Sequence, residues 1–211
     1  MKKLFSFLGV ALLATAFFTA CKPDEPKGGG DDNGTTTTET GVINGVKWAT
    51  RNVGASGSFV SAPENYGGLY QWNRKDTANF LLNEDYYASA YPTATSWLAT
   101  NNPCPTGWRV PTQAELQSLL DTDKVTSEWT TENGINGRRF TDKTTNNSIF
   151  LPAAGSRGSF DGALDSVGEG GSYWSSTENG SLDAYSLLLS GNADLYYVNK
   201  AYGQSVRCVA E

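Results

Sequence analysis

All six tryptophans fall between Trp48 and Trp174, in a stretch dense in Gly, Asn, Ser and Thr with few helical periodicities. A chain of that texture cannot bury itself as a helix bundle. Its large aromatic side chains must fill the space that short strands and ordered loops leave. From Gly41 to Glu211 the sequence shows no second linker and no internal repeat, and about 170 residues are enough for one sound core. The expectation is a loop-rich α+β domain over 41–211.

The clearest helix starts after Pro111. Thr112 as N-cap with Glu115 three residues on makes a capping box, and Leu116, Leu119 and Leu120 share one face. A second short helix is expected over Thr93–Thr100. Ile135–Thr141 and Ser148–Leu151 flank Asn146-Asn147 as a hairpin. Tyr173–Thr177, Ala184–Leu189, Ala193–Val198 and Ser205–Val209 read as strands. In 184–190 the alternation turns Tyr185, Leu187 and Leu189 one way, and Ala184, Ser186 and Leu188 the other.

The N-terminus bears on location. Met1-Lys2-Lys3 is basic, and Leu4–Phe18 is apolar apart from Ser6, Gly9 and Thr15. That matches an export signal and is too short to span a bilayer comfortably. Phe18-Thr19-Ala20-Cys21 resembles a bacterial lipobox, which implies cleavage after residue 20 and lipidation of Cys21. The anchor would hold the protein to a membrane without a spanning helix. Residues 21–40 form an anchored tether, and 22–40 lack any aliphatic or aromatic side chain, so they cannot bury a core. Their acidic cluster (Asp24, Glu25, Asp31, Asp32) resembles the signals that send Bacteroidetes lipoproteins to the outer face of the outer membrane.

Composition excludes several chemistries. The chain has no histidine, which rules out Ser-His-Asp and Cys-His catalysis and histidine-held metals. Its net charge is −6 before loss of Lys2 and Lys3, and no basic patch is present, so nucleic acid is not an expected partner. No residue set calls for a cofactor. With Cys21 given to lipid, Cys104 and Cys208 remain; outside the cytoplasm they are expected to form a disulfide, the alternative being two buried thiols.

Six segments in order carry a resemblance. They are Gly45–Asn52 (GVKWATRN), Tyr66–Trp72 (YGGLYQW), Cys104–Thr112 (CPTGWRVPT), Phe150–Gly155 (FLPAAG), Tyr173–Thr177 (YWSST) and Ser205–Val209 (SVRCV). Together they resemble the Fibrobacter succinogenes major paralogous domain of Bacteroidetes lipoproteins. The resemblance implies a C-type-lectin-like fold with a twisted antiparallel sheet, one or two helices and adjacent termini. Residues 173–209 further resemble the variable cassette of diversity-generating-retroelement proteins, framed by YWSST and SVRCV. Adenine-directed mutation of AAC or AAT codons cannot give Lys, Glu, Gln, Met or Trp, and 181–199 contains none of these.

The expected function is surface-displayed recognition of a protein or glycan ligand, with membrane attachment through lipid only. The expected contact residues are Asp183, Ser186, Leu188, Asp194, Leu195, Tyr196, Tyr197 and Tyr202. Tyrosine gives large amphipathic contact area for few rotatable bonds. The alternatives are a fixed adhesin and a calcium-dependent lectin-like module, the latter prompted by Pro63-Glu64-Asn65. An enzyme of the formylglycine-generating type would need Cys104 and Cys208 redox-active, whereas each sits in a structural motif. Arg109 and Arg207 are expected to bind carbonyls or a carboxylate within the fold, and Arg138-Arg139 to be a surface pair.

Overall fold

The computed structural model describes residues 40–77 and 95–211. The export signal, Cys21, the tether and the first residues of the helix expected at Thr93 lie outside them. The fold of the described residues follows.

Strands β1 (Thr40–Ile43) and β2 (Val46–Ala49) form a hairpin over Asn44-Gly45. Asn44 has φ 47° and Gly45 φ 78°, the left-handed pair that a two-residue type I′ turn demands. The short strands β3 (Trp108–Arg109) and β12 (Val209–Ala210) complete this sheet in the order β1-β2-β12-β3. Val209 opposite Trp48 sets the end of the domain beside its beginning.

Between β3 and the next strand lies α1 (Gln113–Ser118), the only α-helix among the described residues. The capping box closes it: Glu115 N–H donates to Thr112 Oγ1 at 3.3 Å, and Thr112 N–H donates to Glu115 Oε2 at 2.7 Å. A second sheet joins β4 (Val125–Glu132), β5 (Ile135–Asp142) and β6 (Ser148–Pro152). Its first turn, Asn133-Gly134, repeats the type I′ geometry with φ 47° and 82°. The small pair β7 (Ser156–Arg157) and β8 (Leu164–Asp165) follows. A third sheet, in the order β11-β10-β9, uses β9 (Gly171–Asn179), β10 (Asp183–Leu189) and β11 (Ala193–Asn199).

This architecture corrects the fold expectation. The described chain is nearly all β, in four small antiparallel sheets, and not an α+β C-type-lectin-like domain with one large sheet. The helical share was overread. α1 stops after six residues, and only a 3-10 turn, Ala99–Asn101, stands where a second helix was expected. Ser205–Val209 is regular strand only at Val209. Gln204 and Ser205 make single bridges to Tyr70 and Tyr173, tying the sheets together as a connector.

Aromatic side chains do fill the interior. One core cluster gathers Ile43, Trp48, Leu116, Phe140, Leu151, Tyr173, Leu187 and Leu189. Another gathers Tyr70, Trp72, Trp97, Trp174, Val206 and Cys208. Trp72 Nε1 donates to Ser175 O and Trp174 Nε1 to Tyr70 O, at 2.8 and 2.7 Å, whereas the buried Trp48 Nε1 finds no acceptor among the described residues. Cys104 and Cys208 form a disulfide with Cα atoms 6.1 Å apart, fixing the last connector to the loop before β3.

Arg207 is fully buried with no carboxylate beside it. It donates to Asn52 Oδ1 (2.9 Å), Ala49 O (3.2 Å) and Phe150 O (2.9 Å), linking β2, the loop after it and β6. Burial pushes its guanidinium down to about 10. The Tyr173 phenol nearby is pushed up to about 12 by burial, against the pull of Arg207. Arg109 makes a bidentate pair with Glu115, at 2.8 and 2.6 Å, which braces the helix cap.

Candidate binding face and the cleft beside it

β10 and β11 carry most of the expected contact residues, and their register decides which of these face solvent. Leu187 opposes Leu195 and Leu189 opposes Ala193 on the face packed against the first core cluster. Ala184 opposes Val198, Ser186 opposes Tyr196 and Leu188 opposes Asp194 on the other face. The second face is not uniformly open. β9 bulges opposite Ala184–Ser186 while β10 keeps a regular register with β11. Ala184 is buried in the second core cluster and Ser186 against Tyr173 and Gln204.

Ser186 therefore departs from expectation. It is buried, with its hydroxyl donating to Tyr173 O at 3.1 Å and bonded to Gln204 Oε1. Leu195 departs as well: paired with Leu187, it packs against the core and is half-buried. Asp183 is also half-buried. Leu188 (40% exposed), Asp194, Tyr196 (58%), Tyr197 (51%) and Tyr202 (36%) do face solvent.

The two adjacent tyrosines are arranged in an unusual way. Neighbours in a strand start on opposite faces. Yet the Tyr196 and Tyr197 rings stack with centroids 5.4 Å apart and planes 7° from parallel. With β10 on one side of β11, the rings can meet only around its other edge. That edge carries no partner strand among the described residues. Lys200 N donates to Leu182 O and Ser190 N to Asn192 O. The alternation these two bonds set points the Leu195 and Tyr197 amides outward. The stacked rings thus wrap an open strand edge, which discourages edge-to-edge pairing while presenting a broad aromatic surface.

Beyond the β10–β11 turn lies a cleft of about 640 Å³ that sequence reasoning did not anticipate. α1 and its C-terminal turn, β4, β5 and the start of β11 line it. Arg138 belongs to it. Expected at the surface, it is only 8% exposed, because it lies on the same face of β5 as Phe140. Its Nε donates to Ser127 Oγ at 3.2 Å and its Nη1 to Gly191 O at 3.2 Å. Burial pushes its guanidinium below the ordinary arginine value, opposed by the Asp194 carboxylate. Arg139, on the opposite face, pairs with Glu128 and Glu132 at 3.0 and 2.9 Å. The alternation Gly137-Arg138-Arg139-Phe140 holds the missed signal: two consecutive strand residues cannot share a face.

Other features of the described residues are structural. Glu64 of the Pro63-Glu64-Asn65 triplet accepts a hydrogen bond from Asn133 Nδ2 at 2.8 Å. Among the described residues no group of three His, Cys, Asp or Glu could hold a metal ion, and no helix is long and apolar enough to cross a membrane. Lys200 is buried against the Trp72 ring (4.5 Å) and bonded to Glu178 at 2.9 Å.

No curated protein and no solved structure matches this chain. The family description that does match, over residues 33–210, is the Fibrobacter succinogenes major domain. The match covers every described residue but Glu211, and with it all six segments that carried the resemblance. The chain belongs to the Fibrobacter succinogenes major domain family.

Proposed function

We propose that this protein is a lipid-anchored binding module at the cell exterior, whose β10–β11 face recognises a macromolecular ligand. The observation that carries the reading is the stacked Tyr196–Tyr197 pair, with each ring about half exposed on a strand held by a disulfide-closed frame. Exposed aromatic surface is costly to leave idle and is the usual currency of recognition. Leu188, Asp194 and Tyr202 extend the exposed set along the same hairpin and its exit.

The diversified version of the proposal confines variation to 181–204, between the YWSST and SVRCV frame elements. The frame residues are buried: Tyr173, Trp174, Val206, Arg207 and Cys208 all sit in the interior. Substitution of exposed residues between them leaves the scaffold alone, which is the physical requirement for a variable site.

Two experiments test the proposal. Cys21→Ala should move the full-length protein from the membrane to the soluble fraction, and unchanged membrane retention would refute the anchor. Labelled full-length protein applied to intact neighbouring cells should bind saturably. A Tyr196→Ala/Tyr197→Ala double variant of equal melting temperature should not. Equal binding by both would refute the tyrosine face.

A further inference from the structure

Arg138 is a cation nine-tenths buried in a cleft wall, with two of its three nitrogens bonded to neutral oxygens. Among the described residues no carboxylate closes on it to ion-pair distance, and Nη2, which makes no hydrogen bond within the protein, is open to the cleft. Asp194 lines the same cleft and acts on Arg138 electrostatically, without closing to ion-pair distance. A guanidinium largely withdrawn from water, with its nearest carboxylate beyond contact, gains from an anion bound at its open nitrogen.

The rest of the lining narrows the ligand. Thr122, Thr126 and Ser127 offer hydroxyls, and Gln117 and Asn192 offer amides. Half-buried Leu120 supplies the accessible apolar surface, backed by the core side chains of Leu119 and Val125, and Lys143 adds a second cation at the rim. Hydroxyl and amide partners above an apolar surface suit a sugar ring, which has a polar rim and C–H faces. At about 640 Å³ the cleft admits more than one ring.

We infer that the cleft between α1, the β4–β5 hairpin and the β10–β11 turn binds a carboxylated saccharide, with the carboxylate held by Arg138. Asn192 and Asp194 lie within 181–204, where the diversified reading proposed above confines variation, and Arg138 and Ser127 lie outside it, so on that reading a fixed anchor meets a tunable rim. The site does not depend on the tyrosine face and goes beyond the function proposed above.

Calorimetric titration of the full-length protein with digalacturonate and with sialyllactose tests the inference. At least one acid should bind, and its neutral methyl ester should bind at least about tenfold more weakly, the loss of one charge-assisted bond. Arg138→Gln should abolish binding. Because that change also removes two internal bonds, exposed Asp194 provides a second arm. Asp194→Asn removes a repulsive charge without touching the core and should tighten binding about fivefold. Tyr196→Ala/Tyr197→Ala should leave the titration unchanged, so this site and the tyrosine face fail separately. Failure of both acids to bind, equal binding of acid and ester, equal binding of plain acetate, or weaker binding by Asp194→Asn would each overturn the inference.

Discussion

Ser186 and Leu188 are two residues apart on one strand, where simple alternation gives them the same environment, yet the structure buries one and exposes the other. Placing aspartate at each position in turn tests that difference. At Ser186 the carboxylate would replace a hydroxyl held by Tyr173 O and Gln204 Oε1, both acceptors that an ionised carboxylate repels. A buried, unpaired charge of this kind costs about 3–5 kcal/mol, part of it relieved by protonation. At Leu188 the charge stays in water; the partial burial of leucine is lost, about 1–2 kcal/mol, with a smaller cost for the like charge of Asp194 opposite. Urea unfolding of the full-length variants, followed by tryptophan fluorescence, reads both values. The slope for a domain this size is about 2 kcal/mol/M, so the Ser186→Asp midpoint should lie lower by about 0.5 M or more. A Ser186→Asp variant no less stable than Leu188→Asp would refute the burial of Ser186.

Three further outcomes follow from the geometry. Replacing Cys104 and Cys208 with serine opens a crosslink across 104 positions and should cost about 4–5 kcal/mol on the chain-entropy account, read by urea denaturation; a loss under about 1 kcal/mol would contradict it. Glu115 and Asp142 should make the domain acid-sensitive. Partial burial raises Glu115, but the bonds from Arg109 and Thr112 outweigh it and hold it below the usual range; the amides of Thr145, Asn44 and Thr144 hold Asp142 low. Folded values below the unfolded ones give stability that is present above the ordinary carboxylate range and lost as pH falls through it. The melting temperature should therefore drop below about pH 5, and less steeply in Glu115→Gln and Asp142→Asn; identical slopes would count against these bonds. Gly137→Ala should destabilise by more than about 2 kcal/mol in the same urea assay, because its Cβ would meet Leu151 O at 2.4 Å and the Phe150 ring at 2.5 Å.

The parts of the fold legible in the sequence are those set by local chemistry. Thr112 and Glu115 announced their capping box, Asn146-Asn147 its hairpin, and the lone pair of thiols its disulfide. The Asn-Gly pairs at 44–45 and 133–134 are equally local signals of type I′ turns. Reading them would have located β1, β2 and β4. β4 carries little signal because Val125 is its one buried side chain and even Trp129 is exposed, so no apolar alternation marks the strand.

The binding face was legible only in part. Tyr196 and Tyr197 follow from the difficulty of burying Leu195, Tyr196 and Tyr197 together. Ser186 and Leu195 are buried or half-buried because each face of the hairpin meets a core cluster over part of its length, which alternation alone does not tell. The cleft at Arg138 was not legible. It exists because α1, β4, β5 and β11 come together from distant parts of the chain, and no spacing within one segment encodes that. The α+β expectation came from weighting one good helix start too heavily against a chain of short strands.

A saturation scan of residues 181–204, scored by protease resistance of the displayed full-length protein, tests the central claim most directly. Tyr196, Tyr197, Leu188, Asp194 and Tyr202 should accept most substitutions, while Ala184, Ser186, Leu187 and Leu189 should accept few. Tyr196 and Tyr197 proving as intolerant as Leu187 would mean that they hold the fold together, and the face would lose its claim to recognition.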